Sequence, residues 1–133
     1  MKINFKSIRT EMDGEENIIE FNSKLEIDYE DEFKCLVFNE NRNGKIITNR
    51  LEYSNDTLRI YSGITSLHCK LNEVVKNNLV INEHKQTFFI YTKMINMNIE
   101  NENELIFEYL ICTDDKFEHN TNIKLKLQIT EQI

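Results

Sequence analysis

The chain has three cysteines and three histidines, and His68-Cys69 sets one of each side by side. A metal held there would have to recruit His84, His119, Cys35 or Cys112 from far away. Adjacent residues of a strand point to opposite faces, so His68 and Cys69 do not converge on one ion. No Cys-x-x-Cys or His-x-His spacing supplies the missing ligands, and no metal site is expected. Cys69 reads as a small packing hydrophobe and His68 as a solvent-facing residue. A nucleophilic Cys–His pair needs a lowered thiol pKa, and nothing in the sequence produces one.

The acidic runs Asp13–Glu16 and Glu30–Glu32 and the pair Asp114-Asp115 lack the oxygen-ligand spacing of a calcium loop. Turn chemistry and solvation explain them. A carboxylate pair working as acid and base needs one member in an apolar pocket. The acidic residues of the clean strands all sit on the polar parity. No Gly-rich phosphate loop and no Ser-centred nucleophile elbow occurs, so an enzyme is not expected and no cofactor is called for.

The positions that remain are polar residues on the apolar parity of strand-like segments: Ser23, Asn49, Ser62 and Thr92, with Tyr29, Tyr53 and Tyr109 as amphipathic partners. Inside a barrel such groups need hydrogen-bond partners. A trapped water, a neighbouring strand or a ligand could supply them. The candidate ligand-binding residues are therefore Ser23, Asn49, Tyr53, Ser62, Thr92 and Tyr109.

The elements that would position them read as strands. Residues 18–30 alternate Ile19, Phe21, Ser23, Leu25, Ile27 and Tyr29 against polar neighbours, as in a half-buried antiparallel sheet. Residues 2–12 form a first strand with an apparent change of parity between Phe5 and Ile8, which a bulge would produce. Asp13-Gly14 is a hairpin signal. Phe33–Phe38 is a short apolar strand, Asn39–Gly44 a polar loop, and Lys45–Tyr53 a fourth strand. Leu58–Leu71 reads as one long strand bent at Gly63, because the apolar parity reverses there. Residues 72–87 hold only short apolar islands and read as an interrupted strand or a loop with a short helix. Phe88–Ile99 reverses parity between Met94 and Ile95. Leu105–Ile111 and Ile123–Ile129 alternate to the end. Eight or nine strands with short connections predict an all-β fold, a single antiparallel, mostly up-and-down barrel. Closing the sheet removes its exposed edges.

The length of 133 residues fits one domain, residues 1–133. The net charge of −7 argues against a nucleic-acid surface, which needs a basic stripe. No run of about 18 apolar residues occurs, so no membrane-spanning helix is expected. The start, Met1–Arg9, alternates and lacks the apolar run of a signal peptide. An odd number of cysteines without paired spacing suits a reducing cytoplasm.

The chain also resembles the YwiB-like family of small bacterial proteins, whose members are calycin-type (lipocalin-like) barrels. The resemblance spans nearly the whole sequence. It rests on an early strand with Asp13-Gly14, then Ile19-Glu20-Phe21, the Ser62-Gly63 pair in a long strand with Leu71 eight positions on from the glycine, a strand reaching Thr92, and a late strand with Tyr109. Tyr61 stands where the family pattern carries a basic residue, and Lys85-Gln86 where it carries a glycine. The resemblance implies a fold, but no established biochemical function, cofactor or catalytic set.

Together these features predict a non-enzymatic cytoplasmic barrel that binds a small, largely apolar ligand in its interior, in a pocket of about 300 Å³ or more. The alternative is a protein–protein interaction module with a filled core, which a homodimer would satisfy.

Overall fold

The computed structural model describes residues 1–80 and 87–131. Ten strands account for most of them, and none of the described residues is helical. The strands are β1 (Lys2–Thr10), β2 (Glu16–Glu30), β3 (Phe33–Arg42), β4 (Lys45–Tyr53), β5 (Thr57–Ser62), β6 (Thr65–Lys70), β7 (Val74–Val80), β8 (Thr87–Asn101), β9 (Glu104–Cys112) and β10 (Thr121–Thr130). No helix is long and apolar enough to cross a membrane. The sheet order is β6-β5-β4-β3-β2-β1-β10-β9-β8-β7, and every hydrogen-bonded neighbour is antiparallel. The up-and-down barrel is therefore present, with ten strands rather than eight or nine. Its ends in sequence, β1 and β10, pair in the middle of the sheet, and the two border strands are β6 and β7.

Three predicted features have different causes from those expected. Leu58–Leu71 is not one bent strand but a hairpin, β5–β6, in which Ser62 pairs with Thr65 around Gly63-Ile64. Partners across a two-residue turn have opposite parity, so the apolar face passes from Leu58 and Ile60 to Leu67 and Cys69 without any kink. Gly63 has φ +59, the conformation that the first position of such a turn demands. β1 has no bulge: it pairs residue for residue with β10 and β2 from Lys2 to Thr10. Ile8 faces outward opposite Ile18, and Ser7 takes the inward place. Asn39–Arg42 is strand, and only Asn43-Gly44, both at positive φ, make the loop. The reversal in β8 is a true bulge, with the register slipping between Met94 and Asn96. Val74–Val80 is a regular strand; residues 81–86, including His84 and Lys85-Gln86, lie outside the described residues.

The interior is filled across its middle by Leu36, Leu51, Leu58, Met94, Leu105, Phe107 and Leu127, all essentially inaccessible to solvent. β2 forms the corner. It pairs with β1 from Glu16 to Lys24 and with β3 only from Leu25 to Glu30. Where the β2–β3 ladder stops, the Ser23 hydroxyl accepts the Asn39 N–H at 3.3 Å. Beyond that point β2 and β3 part.

The borders β6 and β7 meet without a continuous ladder. The Asn77 side chain bridges them. Its oxygen accepts the His68 N–H at 2.8 Å, and its amide donates to the His68 carbonyl at 3.1 Å and to Thr92 Oγ1 at 3.1 Å. The Thr92 hydroxyl donates to the same carbonyl at 2.6 Å. A side-chain amide here takes the place of a peptide group in the missing rung. Leu71 and Asn72 complete the closure, with the Asn72 N–H on the Met94 carbonyl at 2.8 Å. Replacing Asn77 by Ala strands the buried partners, and a loss of about 2 kcal/mol of stability is expected. Amide hydrogen exchange in β6 and β7 should accelerate ahead of β1 and β10. Uniform acceleration across all strands would show that Asn77 does not hold this seam.

Candidate functional site

The gap between the diverging strands β2 and β3 opens a recess of about 190 Å³ into the barrel. Six apolar side chains wall it: Phe5, Ile19, Leu51, Ile60, Ile123 and Leu125. The rings of Phe5, Phe21 and Phe38 pack in a trio beside it, with centroids 5.1, 5.5 and 6.0 Å apart. The polar lining is Ser7, Glu40, Arg42, Asn49, Ser62 and Tyr109. Asn49 and Ser62 sit directly opposite each other on β4 and β5.

Glu40 is the unexpected member. It is an acidic residue on the inward parity and 9% exposed, in a stretch expected to be a polar loop. Arg42, two residues on, takes both its oxygens in a fork, Nε to Oε2 at 3.0 Å and Nη2 to Oε1 at 3.0 Å. Asn49 Nδ2 lies 3.5 Å from Oε1. This pairing is what makes a buried carboxylate tolerable. The hydroxyls of Ser7, Ser62 and Tyr109, by contrast, donate to no partner among the described residues.

Of the six residues singled out from the sequence, Asn49, Ser62 and Tyr109 meet in this recess, and three do not. Ser23 plugs the end of the β2–β3 ladder. Thr92 belongs to the β6–β7 seam. Tyr53 lies near the opposite end of the barrel, its ring 5.5 Å from that of Phe107. Glu40, Arg42 and Ser7 were missed. The alternation Asn39-Glu40-Asn41-Arg42 contains no apolar residue, so its inward side cannot be read from hydropathy.

The recess is an interior opening with space for a small ligand, and a second space of about 190 Å³ lies at the other end of the barrel, beside Tyr29, Phe33, Tyr53 and Ile99. A larger groove of about 320 Å³ runs over the outer face of β1, β9 and β10 beside Lys6 and Lys126, on the solvent side of the sheet. The interior volume falls short of the roughly 300 Å³ expected of a small-molecule pocket, so the expected cavity of that size is not present, and only a ligand smaller than drug-sized fits.

A second polar cluster occupies the outer face of β3–β5. Glu52 is buried there and accepts from Arg50 Nε at 2.6 Å, with Arg59 Nη1 at 3.5 Å. Arg50 Nη2 also reaches Glu30 at 3.0 Å and Cys35 Sγ at 3.2 Å, and Arg59 lies 4.0 Å over the Phe33 ring. Glu30, Cys35 and Glu52 bring their ligand atoms within 4.8 Å of one another, as metal ligands would. The Arg50 guanidinium already bonds to all three and supplies the positive charge. Burial holds the Cys35 thiol above its ordinary pKa, against the opposing pull of the Arg50 charge. His68 is exposed on the outer face and Cys69 is buried on the inner one, as strand geometry requires. Burial, then Arg59, lowers the His68 pKa.

No family model and no curated protein sequence matches the chain. The fold is that of a nearly closed, all-antiparallel barrel with a YwiB-like arrangement of strands. Among solved structures, the crystal structure of the ywiB protein from Bacillus subtilis matches with a TM-score of 0.70 at 12% identity, over 98% of this chain and 91% of that one. At that identity the likeness concerns the fold alone.

Two outcomes follow. Arg50→Met leaves Glu52 buried with only the more distant Arg59, and a loss of about 3 kcal/mol is expected in denaturant melts, against near-neutrality if the cluster is ornamental. The second concerns alkaline pH. Burial raises Cys69 from 9.0 to about 12 and Tyr53 from 10.0 to about 12. The folded chain then holds protons that the unfolded chain has released, so stability is whole below about pH 9 and falls as pH rises towards 12. A Tyr53→Phe, Cys69→Ala double variant should lose stability less steeply over that window; an unchanged slope would contradict this assignment.

Proposed function

We propose that this barrel is a non-enzymatic binder of a small, largely apolar molecule, held in the recess between β2 and β3. The observation that carries the reading is an interior space walled by six apolar side chains and edged by three hydroxyls that donate to nothing described. Ligand sites combine those two features. The volume sets the size. A cavity of about 150 Å³ accepts benzene, so this recess suits roughly one ring with a short substituent. Placing the barrel among the calycins, in the cytoplasm, belongs to the same proposal. It is supported by the interior recess and by the free, buried Cys35, Cys69 and Cys112, which suit a reducing compartment.

A second reading, an interaction module that pairs with itself or another protein, has its own support. Met12, Ile18, Ile19, Ile46 and Ile64 are all exposed at the end of the barrel where the β1–β2, β3–β4 and β5–β6 hairpins turn. Exposed apolar residues gathered at one end mark contact surfaces.

Native mass spectrometry of protein purified from its own host separates the two. A retained molecule of about ten heavy atoms, absent from an Ile60→Trp variant whose side chain fills the recess, is expected. An empty mass in both would overturn the ligand reading, and an empty dimer that survives Ile60→Trp unchanged would favour the interaction module.

A further inference from the structure

We infer that the recess takes a neutral molecule bearing an acceptor oxygen, such as a ketone, aldehyde or ester, and that the Tyr109 phenol donates to that oxygen. This rests on the recess being a ligand site, and it specifies what the ligand carries. Tyr109 is 4% exposed and stands on the inner face of β9, paired with Ile123 on β10 and Met94 on β8. Tyr109 is one of the residues that line the recess, and its hydroxyl gives its proton to no described residue. Among the described residues no buried side-chain polar atom lacks a partner, so the Tyr109 oxygen, which has none, is accessible from the recess and open to whatever fills it, water or a ligand. Burial also holds the phenol well above its ordinary pKa, so it remains a donor at any physiological pH.

The charge of the ligand follows from Glu40 and Arg42. Their two-bonded fork cancels both charges at the recess wall. A carboxylate ligand would meet Glu40 while Arg42 is already taken. An ammonium ligand would find Glu40 already neutralised. Against walls of Phe5, Leu51, Ile60 and Leu125 either charge would lose its water without compensation. A neutral oxygen asks for one hydrogen bond, and Tyr109 has one to give. Ser7 and Ser62 can add a second donor.

The test titrates methyl-labelled protein with acetophenone, isopropylbenzene and benzoate, following the methyls of Leu51, Ile60, Ile123 and Leu125. Acetophenone and isopropylbenzene have the same number of heavy atoms, a methyl group standing in the second where the first has its oxygen. Acetophenone is expected to bind about tenfold more tightly than isopropylbenzene, the worth of one buried hydrogen bond, and benzoate more weakly than either. Tyr109→Phe should bring acetophenone down to the affinity of isopropylbenzene and leave the hydrocarbon unchanged. Equal affinities in the wild type, a preference that survives Tyr109→Phe, or tighter binding of benzoate would overturn the inference while leaving the recess a ligand site. If none of the three shifts those methyls, the ligand reading itself is overturned.

Discussion

A sheet of ten strands becomes a barrel only if its two borders are sealed, and here the seal is built around the buried side chain of Asn77, with Thr92, Leu71 and Asn72 beside it. β6 and β7 do not share a ladder, yet the His68 peptide group is satisfied on both its N–H and its carbonyl by Asn77, with Thr92 locking the same carbonyl. The tight connection at 71–73, with Asn72 at φ 60, turns β6 directly into β7 and holds the borders close enough for that bridge. Without the bridge, two borders of unpaired peptide groups would face each other across a gap, the exposure that closed barrels exist to avoid. The interior described above depends on that closure.

Sealing one side concentrates the irregularity on the other. β2 spends its first half on β1 and its second on β3, so the sheet folds at Ser23–Leu25 and the upper part of the β2–β3 boundary stays open. The lower interior is packed solid around Phe107 and Leu105, while the upper interior meets the opening and leaves the recess. The outer Glu52 cluster sits on the neighbouring β3–β5 surface, where charge-assisted bonds tie β4 to β5 and, through Glu30, to β2. Recess and cluster therefore share β3 and β4 but face opposite ways: Glu40 and Asn49 inward, Cys35 and Glu52 outward.

The alternation of Ile19 to Tyr29, of Leu105 to Ile111 and of Ile123 to Ile129 was enough to establish an antiparallel barrel from sequence. The causes of parity change were not equally legible. A bulge and a two-residue hairpin reverse parity alike, so Gly63 reads as a bend in the sequence, and the pairing of Ser62 with Thr65 shows that it is a turn. At Met94–Asn96 the same signal is a bulge. Half of the polar inward set was located at the recess because Asn49, Ser62 and Tyr109 interrupt clear apolar rows. Thr92 and Ser23 interrupt rows too, but they serve backbone groups far away in sequence, which no local pattern encodes. Glu40 and Arg42 were invisible for the opposite reason. A strand whose inward residues neutralise each other has no apolar period to detect.

The central claim is that this barrel is closed at β6–β7 and has interior room where β2 leaves β3. Xenon under pressure enters small apolar spaces without needing a hydrogen bond, and methyl NMR reports where it goes. The closed barrel predicts that Leu51, Ile60, Ile123 and Leu125 shift together as xenon pressure rises, while Leu36, Leu105 and Leu127 stay still. Shifts spread evenly through the core, or absent from the recess, would contradict it.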